Sequence, residues 1–177
     1  GLSGTYNTLK LVSENHPGLK TTVFDSKSLT LGAGAIIIKC AELIETGNTY
    51  EEIVEILPKI RDSISVHYIV DTLKYLIKGG RIGRVSGTVG ELLNIKPIIA
   101  INPEGIYYTY AKVRGKKKAL STLFEISADI LKSTKGRVWI MHGGAEEEGR
   151  KFYGLFRNIE NITYLGFGDI SPVAGVH

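Results

Sequence analysis

At 177 residues and 43% hydrophobic content, the chain can bury a sizeable core as one domain or two small ones. Its net charge of +4 favours anionic ligands weakly and is no nucleic-acid signature. A single cysteine, Cys40, excludes an internal disulfide framework and fits a reducing cytoplasm. No apolar run reaches the roughly 18 residues that cross a membrane, and the opening Gly1-Leu2-Ser3-Gly4 has no signal-peptide character. Both ends interrupt patterns, so a longer native chain is expected.

Ser3-Gly4-Thr5 precedes a helical pattern with Tyr6, Leu9 and Val12 on one side, and Ser3 is well typed as its N-cap. Thr22-Val23-Phe24 reads as a short buried strand ending at Asp25-Ser26. A helix from about Gly32 to Thr46 carries Ile36, Ile37, Cys40, Ala41 and Ile44 on one face and stops at Gly47. Cys40 in that run reads as a structural thiol. Thr49 and Glu52 form a capping box for a helix that turns Ile53, Ile56, Leu57 and Ile60 inward, with Pro58 bending or ending it early.

Val66 to Val70 reads as the next strand, and Asp71 or Thr72 caps a short helix, Leu73 to Ile77, that stops at Gly79-Gly80. Ile95 to Ile101 is a strand in which Pro97 indicates an edge, a bulge or a late start. Asn102-Pro103-Glu104-Gly105 turns it into a second strand through Arg114, whose alternation groups Tyr108, Tyr110, Lys112 and Arg114. A long helix with Leu120, Leu123, Phe124, Ser127, Ile130 and Leu131 follows, then a buried strand from Arg137 to Met141. Glu146 to Glu148 open a helix with Phe152, Leu155, Phe156 and Ile159 inside, and the extended segments Ile162 to Phe167 and Ile170 to Val176 close the chain. The alternation is α/β, and a shift of pattern at Arg61 to Ser65 places a domain boundary, giving residues 1–64 and 65–177.

Few residues could carry chemistry. There is no phosphate loop, no dinucleotide fingerprint, no zinc spacing and no nucleophile elbow. His16, His67, His142 and His177 are scattered, and His67 reads as a packed side chain. What remains suits anion recognition. Ser3 with the Gly4 and Thr5 amides opens a helix, Arg81 follows a glycine turn, Arg114 ends a strand, and His177 follows Ala174-Gly175. Such a set favours ligand binding over catalysis, with no metal and no catalytic pair. The alternative is an enzyme acting on a small phosphorylated or carboxylated metabolite through Arg81, Arg114 and His177. Lys116-Lys117-Lys118 opens a helix against its dipole and reads as a solvated face or a partner contact.

An ordered set of short strings resembles the DegV family. It comprises Leu2-Ser3-Gly4-Thr5-Tyr6, Phe24-Asp25-Ser26, Asp71-Thr72-Leu73-Lys74-Tyr75-Leu76 with Gly79-Gly80-Arg81-Ile82, Leu92-Leu93-Asn94-Ile95-Lys96-Pro97, Lys112-Val113-Arg114 and Pro172-Val173-Ala174-Gly175-Val176-His177. The resemblance implies a two-domain bacterial α/β fold, with a parallel-sheet first domain, incomplete here, and a mixed α/β second domain whose final segment is missing. It implies a non-enzymatic cytoplasmic protein that holds one long-chain fatty acid between its domains. The bound carboxylate is presented to a fatty acid kinase catalytic subunit, and the acyl phosphate passes to an acyltransferase of phospholipid synthesis. Transient membrane-surface contact is compatible with this; nucleic acid is not a partner and no cofactor is needed. By the same resemblance Ser3 with Gly4 and Thr5 seats the carboxylate, and Arg81, Arg114 and His177 form the head-group rim or kinase dock. The family's Thr-Ser-x-Pro and its Thr-Gly-Pro-Gly after the closing histidine are absent.

Overall fold

The computed structural model describes residues 3–88 and 94–171. The chain divides into two compact units, Gly1–Val66 with Ile101–Tyr107, and His67–Ala100 with Tyr108–His177. Backbone contacts thus group the tip of the hairpin with the first unit.

Helices dominate the first unit. They are α1 (Thr5–Glu14), α2 (Thr30–Glu45) and α3 (Tyr50–Asp62). The capping box at the start of α3 is formed as expected: Glu52 N–H donates to the Thr49 hydroxyl, and the Thr49 N–H donates to the Glu52 carboxylate at 2.7 Å. Acids in its first turn and Lys59 and Arg61 in its last complement the helix dipole. Pro58 does not end α3, which continues to Asp62. A proline removes one N–H and crowds one turn, and the buried Leu57 and Ile60 on either side hold the helix across that fault.

Ile36, Leu57 and Ile60 form the core of this unit, with Phe24, Cys40, Leu43 and Ile64 against them. The expected inner face of α2 is only partly right. Ile36 is buried, whereas Ile37 and Ile44 are 70% and 64% exposed. The run Ile36-Ile37-Ile38 is apolar around the whole helix, so periodicity cannot select its inner side. Ile56 of α3 is likewise on the surface. Thr22-Val23-Phe24 forms no strand. A strand needs a neighbour to complete its hydrogen bonds, and the described part of this stretch lies beside helices, with Phe24 packed as a core side chain.

The second unit contains two sheets. In the first, β1 (His67–Tyr68), β2 (Ile95–Ile101) and β3 (Tyr107–Arg114) lie in that order. β1 is much shorter than the Val66 to Val70 expected and pairs antiparallel with β2, His67 opposite Ala100 and Tyr68 opposite Ile99. Pro97 therefore sits in the central strand rather than at a sheet edge. It is tolerated because the β1 ladder covers only residues 99 and 100 of β2, so no β1 carbonyl waits for the missing N–H. In the turn between β2 and β3, the Asn102 side-chain oxygen accepts from the N–H groups of Glu104 and Ile106 at 3.1 and 2.9 Å.

The second sheet pairs β4 (Gly136–His142) in parallel with β5 (Ile162–Asp169), and α6 (Glu146–Gly154) connects them. α5 (Lys116–Ser133) supplies Leu120, Leu123 and Phe124 to a core built on Ile140, Phe152 and Phe156. Phe156 sits edge-on to both Phe124 and Phe152, with centroids 5.1 and 5.3 Å apart. α6 ends at Gly154, earlier than its pattern suggests, and Leu155 is exposed. β5 ends at Asp169; the extended segment expected from Ile170 lies almost wholly outside the described residues.

Candidate functional site

The short helix α4 (Lys74–Lys78) begins where the Thr72 hydroxyl accepts the Lys74 N–H at 3.1 Å. Its end is a Schellman motif: the Arg81 N–H reaches Leu76 O at 2.9 Å and the Gly80 N–H reaches Ile77 O at 3.0 Å. Only one of the paired glycines needs to be glycine for this. Gly80 takes φ +69°, whereas Gly79 remains right-handed at φ −76°. The same turn holds the Arg81 side chain, because its Nη1 donates to Gly79 O at 2.5 Å. Four further guanidinium N–H bonds remain to recognise a planar anion.

Arg114 closes β3 on its exposed side, in the alternation Tyr110, Lys112, Arg114 read from the sequence. The next residue, Gly115, stands at the start of α5 and donates its N–H to Asn94 O at 2.8 Å. Lys117 and Lys118 are exposed, as a solvated face requires, whereas Lys116 is half-buried and paired. Its ammonium pairs with Glu148 of α6 at 2.9 Å and with Asp71, before α4, at 3.2 Å. Asp71 O also accepts from Lys96 Nζ at 2.7 Å. These contacts tie the loop before α4 to β2, α5 and α6, fixing the base from which the Arg81 turn projects. They also offset the cost of a cation at the start of α5. The hydrogen bonds that the ammonium donates to Glu148 and then to Asp71 raise Lys116 above the usual lysine range.

Ser3 lies one position before the N-cap of α1, which is Gly4. Its Oγ still accepts the Thr5 N–H at 3.2 Å and sits 2.7 Å from the Thr5 hydroxyl, so two hydroxyls and the helix start share one exposed turn. No acidic residue stands in the first turn of α1. Gly4 has no side chain to cap the remaining amides, which leaves this end receptive to an anion. His177 lies outside the described residues. Lysine and arginine outnumber aspartate and glutamate sixteen to nine in the second unit and are outnumbered six to nine in the first. The cationic candidates thus stand in the unit that carries the positive surplus.

Other candidates carry less. His67 packs edge-on to Tyr110 at 5.0 Å, and burial pushes its imidazole below the usual histidine range, as suits a packed side chain. Burial raises the Cys40 thiol, away from nucleophile character. Among the described residues no three metal-ligating side chains gather, and no helix is long and apolar enough to cross a membrane. A cavity of about 280 Å³ in the first unit is lined by Thr22, Ile44, Tyr50, Ile53, Val54 and Leu57. It lies just below the range of about 300–1,000 Å³ typical of sites for drug-sized ligands.

The family model of DegV, a family described as uncharacterised proteins, matches residues 1–177. The chain belongs to the DegV family. A DegV domain-containing protein of Clostridium acetobutylicum, CA_C1624, is 59% identical over 99% of this chain. The chain spans 63% of that relative's length. A fatty-acid-binding DegV family protein from Thermus thermophilus superposes with a TM-score of 0.89 at 27% identity, covering 99% of this chain and 63% of that one. The fatty-acid-binding DegV protein SAG1342 of Streptococcus agalactiae gives 0.90 at 28% identity, covering 99% and 62%. The mixed α/β DegV fold is therefore the fold of this chain.

Proposed function

We infer that this DegV chain is part of a protein that binds a long-chain fatty acid and hands it on without transforming it. The carboxylate rests on the Ser3 hydroxyl and the amides of Gly4 and Thr5. Arg81 and Arg114, with His177, form the rim of the head-group site, where a fatty acid kinase catalytic subunit docks. The resulting acyl phosphate serves an acyltransferase of phospholipid synthesis. Such a protein works in the cytoplasm, touches membrane surfaces transiently and needs no cofactor.

The observation that carries this reading is the similarity to two fatty-acid-binding DegV structures over 99% of the chain. The local chemistry supports it. An exposed hydroxyl pair at an acid-free helix start suits a carboxylate, and a backbone-held guanidinium suits the phosphoryl group that would join it. Residues 1–64 are in this reading the C-terminal part of a first domain, and residues 65–177 belong to a second. The exposed Ile37 and Ile44 of α2 fit a helix whose outer face is covered in the longer relatives.

Organic extraction of the purified full-length protein, followed by mass spectrometry, tests the reading. One fatty acid per protein is expected. A lipid-free protein that takes up none when incubated with fatty acid would overturn it and leave an enzyme of small anionic metabolites as the alternative. Within the binding reading, Ser3→Ala weakens lipid binding, whereas Arg81→Ala spares binding and impairs phosphorylation by the kinase.

A further inference from the structure

Arg81 and Arg114 stand on different segments of the second unit, and one side chain joins those segments. Arg114 is the last residue of β3. Just beyond it, Gly115 at φ +80° donates its N–H to the carbonyl of Asn94, itself left-handed at φ +70°, a conformation asparagine tolerates. That pairing fixes the backbone from which Arg114 projects. The chain then enters α5 at Lys116, whose ammonium meets Asp71 Oδ1 at 3.2 Å and Glu148 Oε2 at 2.9 Å. Asp71 precedes Thr72, whose hydroxyl accepts the Lys74 N–H, and so stands at the root of α4. From Lys116 a short path runs through Asp71 and α4 to the Arg81 turn.

α4 depends on that root. None of its residues is buried, and Tyr75 and Ile77 are largely exposed, so packing alone holds the helix loosely. Past the Arg81 turn, Val85 is fully buried. Arg81 thus lies between an apolar anchor after it and a polar anchor before it. The polar anchor has two holds: the Asp71 carboxylate on Lys116, and the Asp71 carbonyl, which accepts from Lys96 Nζ at 2.7 Å. We propose that Lys116, acting through Asp71, is a positioning residue that sets the Arg81 guanidinium relative to Arg114 for recognition of one phosphoryl group. Two of the three N–H bonds of its ammonium are turned to carboxylates, so it serves the arrangement and not the anion. Placement matters because an error of about 1 Å in a positioned group can lower a rate on the order of a hundredfold. The identity of the anion rests on the functional reading above; the positioning of Arg81 does not.

The full-length protein, loaded with fatty acid and offered to a fatty acid kinase catalytic subunit, tests this through the kcat of lipid phosphorylation. Lys96 keeps its hold on Asp71 in Lys116→Met, so kcat should fall about fivefold rather than vanish, the size a partly exposed ion pair supports. Lys116→Arg should restore most of the rate, because a guanidinium can pair with both carboxylates. Lys132→Met removes an equal charge from the same helix, at an exposed pair with Asp129, and should leave kcat unchanged. In an Arg81→Ala background Lys116→Met should cause no further loss, since the group it positions is gone. A kcat unaffected by Lys116→Met, or a loss just as large without Arg81, would overturn the proposal. A second measurement needs no kinase. The Arg81 Nε–H signal in NMR, identified by its loss in Arg81→Lys, should move toward that of a free arginine in Lys116→Met. The signal of Arg157, which stacks on Tyr153, should stay in place. An Arg81 signal identical in native protein and variant refutes the positioning, whereas a native protein that the kinase ignores refutes the functional reading alone.

Discussion

Lys116 and Glu148 meet at 2.9 Å, Nζ to Oε2, joining the first turns of α5 and α6, and Asp71 lies within 3.2 Å of the same ammonium. Without the ammonium the two carboxylates, Asp71 and Glu148, would repel each other here. The Lys116 side chain is 40% exposed and that of Glu148 37%, so solvent screens the pair. Lys116→Met should cost about 0.5–1 kcal/mol, less in high salt, measured by urea unfolding at two ionic strengths. The ammonium is held above its ordinary range in the fold, so its contribution is complete at neutral pH. It is lost as pH rises past about 10.4 and through the higher folded value.

Gly80 and Gly79 should respond unequally to alanine. Gly80→Ala forces a side chain into φ +69° and should cost about 1–2 kcal/mol. Gly79 has an ordinary helical φ of −76°, so Gly79→Ala meets only a tight contact with Tyr75 O at 3.2 Å and should cost less than Gly80→Ala. Denaturant midpoints of the two variants decide this. Equal losses would show that the Schellman motif does not govern the turn.

Arg81→Lys tests the guanidinium rather than the charge. Lysine keeps a cation at the turn but lacks the planar fork that can hold Gly79 O and an anion together. Within the proposed function, phosphorylation of the bound lipid should fall about tenfold, the cost of roughly one charge-assisted hydrogen bond. Lipid content after extraction should stay unchanged.

The capping box makes α3 sensitive to acid. The Thr49 N–H and then the Thr49 hydroxyl hold the Glu52 carboxylate below its usual range. A carboxylate lowered in the fold stabilises it above the unfolded value, near 4.3, and that help disappears as pH falls through the folded value. Thr49→Ala should cost about 1 kcal/mol at pH 7. The native-minus-variant difference should narrow below about pH 4, as seen in thermal melts across that range.

Much of this was legible because local backbone chemistry encodes it. The α3 capping box, the Gly80 helix stop and the Asn102 turn each satisfy backbone groups with side chains or conformations a few residues away. The helical spacing of Leu120, Leu123, Phe124 and Leu131 likewise identified the inner face of α5, although Ile130 of the same pattern is exposed. Thr22-Val23-Phe24 failed as a strand, and Val66 to Val70 shrank to two paired residues, because pairing belongs to two segments and a single pattern cannot report its partner. Ile37 and Ile44 failed as core residues because α2 is apolar all round.

The Gly79-Gly80-Arg81 stop, the Ser3-Gly4-Thr5 helix start and membership of the DegV family follow from the order of residues alone. Each depends on short-range geometry or on an ordered set of motifs. Only the folded chain set Lys116 between Glu148 and Asp71, put Pro97 in a central strand beyond the reach of β1, and brought His142 against Asp169. Those contacts join residues as much as 45 positions apart, as Asp71 and Lys116 are. Charge and packing there depend on which elements meet, which no local pattern contains.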